Sequence, residues 1–271
     1  MTAAEILLIG ACLVGFATDA LNGFIESQIF FPDRIMRFSP ADFGLTFEDA
    51  WIDTGDGVKL HGWWVPGNPD DAVVLFCHGN AGNISDRVDN VARLNRLGLN
   101  VLIFDYRGYG RSEGNISESG FYLDAEAAYG RARSEADKLG VKLVIFGRSL
   151  GGIAAVHMAS GRKCSGVILE STFTNLGDMA KIHFPLPTGM LDLGTRFNAV
   201  DKIGDVTAPL LFFHGDMDAI VPFELGKALY EAAPEPKEFV TLSGANHNDT
   251  YLVAGADYFS KWRGFIDGLP D

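Results

Sequence analysis

Cysteine is scarce in this 271-residue chain: Cys12, Cys77 and Cys164 are odd in number, far apart, and never in a Cys-x-x-Cys pair. That excludes a disulfide framework and a zinc knuckle as organising devices. Cationic residues are in the minority too, 22 Lys and Arg against 35 Asp and Glu, for a formal net charge of -13. Nucleic-acid binding draws its affinity from clustered cations, so no nucleic-acid partner is expected. There is no His-Glu-x-x-His sequence and no Gly-rich dinucleotide fingerprint after a first strand, so neither a metal nor an organic cofactor is expected. No Pro/Ser/Gly-rich linker, charge block or internal repeat divides the chain, which favours one main globular domain.

Also missing is an apolar run long enough to cross a bilayer. Ile6 to Ala17 is apolar and uncharged, but a spanning helix needs about 20 such residues. No basic stretch precedes the run and no small-x-small cleavage site follows it, so it does not read as a signal peptide. Continued as a helix to Phe31, it places Asp19, Asn22 and Glu26 on one face and Leu21, Phe24 and Ile25 on the other. Such a helix suits an interfacial membrane anchor, and equally a segment docked on its own domain or on a second subunit. Residues 1–40 are therefore read as an anchor or docking segment, with the protein cytoplasmic or membrane-associated, and residues 41–271 as the domain.

What is present, in a sequence 47% hydrophobic, is a βα rhythm. Strands are predicted at Phe47–Thr54, Lys59–Val65, Ala72–Cys77, Asn100–Phe104, Lys142–Phe146, Gly166–Glu170, Pro209–His214 and Glu238–Leu242. The first two flank the hairpin signal Gly55-Asp56-Gly57. Helices are predicted at about Ser85–Leu97, Phe121–Leu139, Leu150–Ser160, Phe223–Ala233 and Thr250–Ile266. The pattern implies an α/β fold with a mostly parallel, eight-stranded sheet covered on both faces. Residues 174–200 break the rhythm with prolines and apolar side chains, and read as a small lid in which Phe184, Leu186, Met190 and Leu191 would contact substrate.

Four loops carry the chemistry. Gly147-Arg148-Ser149-Leu150-Gly151-Gly152 follows the apolar strand and opens a helix, the context in which Gly-x-Ser-x-Gly forms a strained turn that presents a nucleophilic serine. His78-Gly79-Asn80-Ala81-Gly82 follows a buried strand, and the backbone N–H of Asn80, with that of Leu150, is placed to hold an oxyanion. His78 itself reads as a histidine hydrogen-bonded beneath that loop. After the strand Leu210–Phe213, Asp218 is the preferred acid; Asp216 reads as a turn-capping residue and Glu170 as an alternative acid. His247, in the loop Gly244–Thr250, is the preferred base among six histidines, the others reading as packing or surface residues.

The chain resembles the α/β-hydrolase superfamily from about Leu45 to its end, through His-Gly-Asn-Ala-Gly, Asp105-Tyr106-Arg107-Gly108-Tyr109-Gly110, Gly-Arg-Ser-Leu-Gly-Gly, His214-Gly215-Asp216-Met217-Asp218 and the His247 loop. Within it the chain is similar to a small single-domain branch that includes membrane-attached depalmitoylase-like proteins. The resemblance implies a serine hydrolase with the residues Ser149, Asp218 and His247 in that order. Asp105 to Ser112 is expected to support the site. Apolar lid residues point to a small-molecule acyl substrate held as an ester or thioester, with amide or peptide hydrolysis as the rival chemistry. A binding or scaffold protein on the same fold is a further alternative, disfavoured because all three groups are present.

Overall fold

The computed structural model describes Glu26, residues 29–183, Leu193 and residues 195–270. Eight strands form one sheet: β1 (Glu48–Asp53), β2 (Lys59–Val65), β3 (Val73–Cys77), β4 (Asn100–Phe104), β5 (Leu143–Arg148), β6 (Gly166–Glu170), β7 (Leu210–Gly215) and β8 (Lys237–Leu242), in the order β1-β2-β4-β3-β5-β6-β7-β8. β1, β2 and β4 pair antiparallel, and every pair from β4 to β8 is parallel. The hairpin between β1 and β2 turns at Gly57, whose φ of 83° needs no Cβ.

The central strands are apolar throughout because side chains alternate between two buried faces. Val73, Leu75 and Cys77 join one core with Leu143 and Ile145; Val74 and Phe76 join the other with Val144 and Phe146. The first core is covered by α2 (Glu118–Leu139) and α3 (Leu150–Gly161), the second by α1 (Val88–Arg96) and α7 (Thr250–Asp267). Helix α2 is capped by Ser117, which accepts from Gly120 N–H at 3.1 Å, and stops at Gly140 with φ 70°. Ala125, Ala128, Ala132 and Ala136 line its inner face, so the helix sits close on the sheet. The described residues also include α4 (Leu176–His183), the single turn α5 (Val200–Ile203) and α6 (Phe223–Ala232).

At the C-terminal end of the molecule Leu269 packs on Gly166, at the start of β6, and its carbonyl accepts from Lys142 Nζ at 2.6 Å. The last helix thus begins at the loop edge of the parallel strands and finishes at the opposite edge. Of the proposed docking segment, Ile29 to Phe38 is strapped to the domain. Phe30 is buried against Phe121 and Phe197, and Pro32 bridges Gly82 as a short parallel pairing. The earlier apolar run, Ile6 to Ala17, lies outside the described residues. Among those residues no helix is long and apolar enough to cross a membrane. Of the expected lid, the structure describes the helix Leu176–His183 and the segment from Thr195 onward; Phe184, Leu186, Met190 and Leu191 lie outside the described residues.

Candidate active site

The strand β5 ends in a turn that the sequence can make only with glycine around it. A Cβ on Gly151 would lie 2.0 Å from the Cys77 carbonyl oxygen and 2.6 Å from that of His78; one on Gly147 would lie 2.5 Å from the Gly151 carbonyl oxygen. With both absent, Ser149 takes φ 53° and ψ -121°, a strained conformation for a residue with a side chain. Leu150 then begins α3, with its N–H at the helix start, where donors have no partner within the helix and the dipole end is positive.

The loop after β3 lies against this turn: a methyl group built on Gly79 would already touch Ser149 Cβ at 3.4 Å. Asn80 follows directly. Its side chain is held by three partners that are distant in sequence. Nδ2 donates to the Ile29 carbonyl, while Oδ1 accepts from Phe31 N–H at 3.2 Å and from the Tyr109 hydroxyl at 2.9 Å. The strap Ile29–Phe38 therefore fixes the loop from outside, and Gly82 continues the tie by donating to the Phe31 carbonyl. His78 is fully buried beneath the loop, its ring tilted against Tyr106 with centroids 4.7 Å apart, its Nδ1 2.7 Å from the Gly79 carbonyl. Asp105 accepts from Ile84 N–H at 2.9 Å and sits 3.5 Å from His78 Nε2. Arg107 in the same segment bridges Asp56 and the buried Asp124, at 2.8 Å each. Both act as internal struts.

Asp218 follows β7. Its Oδ1 accepts from Ile220 and Val221 N–H at 2.9 and 2.8 Å, and its Oδ2 lies 2.7 Å from His247 Nδ1. Burial pushes this carboxyl up, but the hydrogen bond and charge of His247, the Val221 N–H and the Ser171 hydroxyl outweigh it and hold it below its ordinary value. An ionised Asp218 can only accept a hydrogen bond, so it favours the His247 tautomer that carries its proton on Nδ1 and leaves the lone pair on Nε2. Asp216 is exposed, and its carboxylate is turned to a distant segment and not to its own turn, accepting from Gly244 N–H at 2.7 Å and the Ser243 hydroxyl at 3.3 Å in the turn after β8. His214 is buried behind Asp218, where its Nε2 lies 2.9 Å from the Val221 carbonyl oxygen and burial lowers its pKa.

Glu170, the alternative acid, is engaged elsewhere. It lies 3.0 Å from Arg148 Nε, accepts from Thr250 Oγ1 at 2.7 Å and accepts from the Tyr258 hydroxyl. His247 pairs with Asp218 and not with Glu170 because β7 delivers its loop to the histidine, whereas the end of β6 lies under Arg148. Arg148 completes the arrangement: its Nη2 donates to the His247 carbonyl at 2.6 Å, so one side chain spans from the residue before Ser149 to the His247 main chain. Sequence reasoning assigned nothing to Arg148, to the Glu170 bridge or to the Asn80 side chain. The one signal available was that a cation and an acid end adjacent buried strands. Among the described residues no group of His, Cys, Asp and Glu is arranged to hold a metal ion.

Residues 68–192 match the family model described as "Serine aminopeptidase, S33". The chain is 36% identical over 261 residues to the protein Rv2307c of Mycobacterium tuberculosis, covering 94% of this chain and 92% of that one. It is 34% identical to the α/β-hydrolase domain-containing protein WAV2 of Arabidopsis thaliana, covering 91% and 89%. The esterase Pf2001 of Pyrococcus furiosus has the same fold at a TM-score of 0.74 and 23% identity, over 88% of this chain and 99% of that one. With the sheet order, the glycine-framed serine turn and these relatives together, the chain belongs to the α/β-hydrolase family and is a hydrolase.

Proposed function

We propose that the protein is a serine hydrolase that cleaves carboxylic esters or thioesters through an acyl-enzyme. The observation that carries this is the Ser149 turn itself, φ 53° at the start of α3, together with a buried His247–Asp218 pair in which the His247 main chain is bonded to Arg148, the residue before Ser149. His247 Nε2 takes the Ser149 proton as Oγ attacks the acyl carbonyl carbon, and Asp218 stabilises the imidazolium that forms. The N–H groups of Asn80 and Leu150 hold the tetrahedral oxyanion. His247 then returns the proton to the leaving alcohol or thiol. Water, deprotonated by the same base, releases the acid and restores Ser149.

Apolar side chains around the His247 loop support a hydrophobic acyl group: Met217 and Ile220 flank Asp218, Leu252 and Val253 form the first turn of α7, and all four are exposed. Amide hydrolysis is the second reading, favoured by the description of the matched family. Acyl esters and thioesters of graded length, assayed beside aminoacyl amides, separate the two. Ser149→Ala should abolish both turnover and covalent labelling by a fluorophosphonate. Labelling that persists in that variant would overturn the assignment.

A further inference from the structure

We propose that Arg148 is the positioning residue for the histidine base, with Glu170 as its buried counter-ion; the inference rests on the serine-hydrolase reading above. β5 and β6 run parallel with Arg148 and Glu170 in register as their final residues. The two side chains meet as an ion pair, Nε to Oε1 at 3.0 Å, with Arg148 7% exposed and Glu170 fully buried. From there the guanidinium reaches across to the histidine loop, donating through Nη2 to the His247 carbonyl at 2.6 Å and lying 3.5 Å from Asn248 Oδ1. Glu170 extends the tie into the helix that follows, through Thr250 Oγ1 and the Tyr258 hydroxyl. A single connected network therefore joins the residue before the nucleophile, the main chain of the base and the first turns of α7.

Stability does not account for such a pair. Removing two charges from water costs several kcal/mol per ion, and apolar residues of similar size are often as stable or more so. What an apolar pair lacks is a fork of donors able to fix a peptide plane. The rest of the histidine loop is tied to the turn after β7, with Ala219 N–H donating to Asn246 Oδ1 at 3.2 Å and Met217 N–H to the Ala245 carbonyl at 3.1 Å, but the His247 main chain is held by its N–H to Asn246 Oδ1 at 2.7 Å and by Arg148. The former bonds join the loop to the turn after β7, whereas Arg148 joins the His247 carbonyl to the end of β5, beside the nucleophile turn. With its carbonyl held by Arg148 and its ring by Asp218, the imidazole has little freedom to shift relative to the Ser149 turn.

The test compares wild type with Arg148→Lys, Arg148→Ala and the double variant R148M/E170Q, in which no buried charge is left unpaired. Ester turnover, the fluorophosphonate labelling rate and Tm are read for each. Positioning requires the double variant to keep a Tm near wild type while kcat and the labelling rate fall about 100-fold, the cost of a displacement near 1 Å, with KM changed by less than about threefold. Millimolar guanidinium should restore part of the kcat of Arg148→Ala and leave wild type unchanged. Arg148→Lys keeps a charge beside Glu170 and should also be slow at undiminished Tm, which serves if a neutral variant does not fold. Wild-type turnover in R148M/E170Q or in Arg148→Lys would overturn the proposal. A wild-type protein that neither turns over nor labels would instead remove the hydrolase mechanism on which it rests.

Discussion

Gly151 and Gly161 lie in the same helix, and alanine at each should move the protein in opposite directions. A Cβ at Gly151 meets the Cys77 carbonyl oxygen at 2.0 Å, the Cys77 carbonyl carbon at 2.5 Å and the His78 carbonyl oxygen at 2.6 Å. All three atoms are backbone, so no side chain can swing aside. Real Cβ atoms essentially never come within 3.0 Å, so helix α3 and the loop after β3 must separate by about 1 Å, the difference between 3.0 and 2.0 Å. Strain of this kind costs about 1–3 kcal/mol. The same displacement parts Leu150 N–H from Asn80 N–H, the two proposed oxyanion donors, and should lower kcat on the order of 100-fold. Gly161 closes the helix with nothing within 4 Å of a built Cβ, and alanine there should stabilise by about 0.5–1 kcal/mol. Differential scanning fluorimetry reads both, at about 2–4 °C per kcal/mol for a domain near this size. An ester assay supplies kcat for the same samples. Should Gly151→Ala match wild type in Tm and kcat, the glycine-framed turn does not hold the oxyanion site as described.

Other outcomes follow from the same geometry. Asp218→Asn should reduce kcat by about 10⁴-fold, because the amide favours the wrong imidazole tautomer; retention of most activity would dismiss Asp218 as the partner of the base. Arg107→Met leaves the buried Asp124 carboxylate without its partner and should cost about 3–5 kcal/mol in urea denaturation, and a loss below 1 kcal/mol, on the order of a surface pair, would show that the Asp56–Arg107–Asp124 bridge is not a strut. Burial lowers the folded-state pKa of His61, His157 and His214. Each stays neutral while the unfolded chain takes up a proton, so their contribution is present above the unfolded value of about 6.5 and is lost as pH falls below it. Tm should therefore drop between about pH 7.5 and 5.5, less steeply in His214→Gln, and a Tm that rises on acidification would contradict the assigned directions.

Much of the architecture is legible in the chain because each signal is local. Lys59–Val65, Asn100–Phe104 and Gly166–Glu170 agree with the observed strands residue for residue: the last two are short apolar runs bounded by turn residues, and the first is fixed by the Gly55-Asp56-Gly57 hairpin signal before it. Helix starts are less well placed. α2 begins at Glu118, three residues before the predicted Phe121, because Ser117 caps it. Stretches read as one helix from Ser85 divide into a 3-10 turn, Ile84–Arg87, and α1 from Val88. The candidate site is legible where a motif fixes backbone shape, as at Ser149. It is not legible where the decisive bond joins distant segments: Asn80 with Ile29 is separated by 51 residues and Arg148 with His247 by 99. Glu170 shows the difficulty well. A buried acid at a strand end looks much the same in sequence whether it serves a histidine or an arginine, and only the neighbouring strand's register decides.

The strap from Ile29 to Phe38 has a practical corollary. Because Phe31 is bonded to Asn80 at the loop edge of the sheet, whereas Leu269 is anchored at the far edge, cargo joined at the strap bears on the Asn80 loop, and cargo joined behind Leu269 starts from the opposite edge. An affinity handle, fluorophore or solid support attached after Leu269 should leave substrate access open. The same attachment on the strap itself, at Phe31, would load the very loop that carries Asn80.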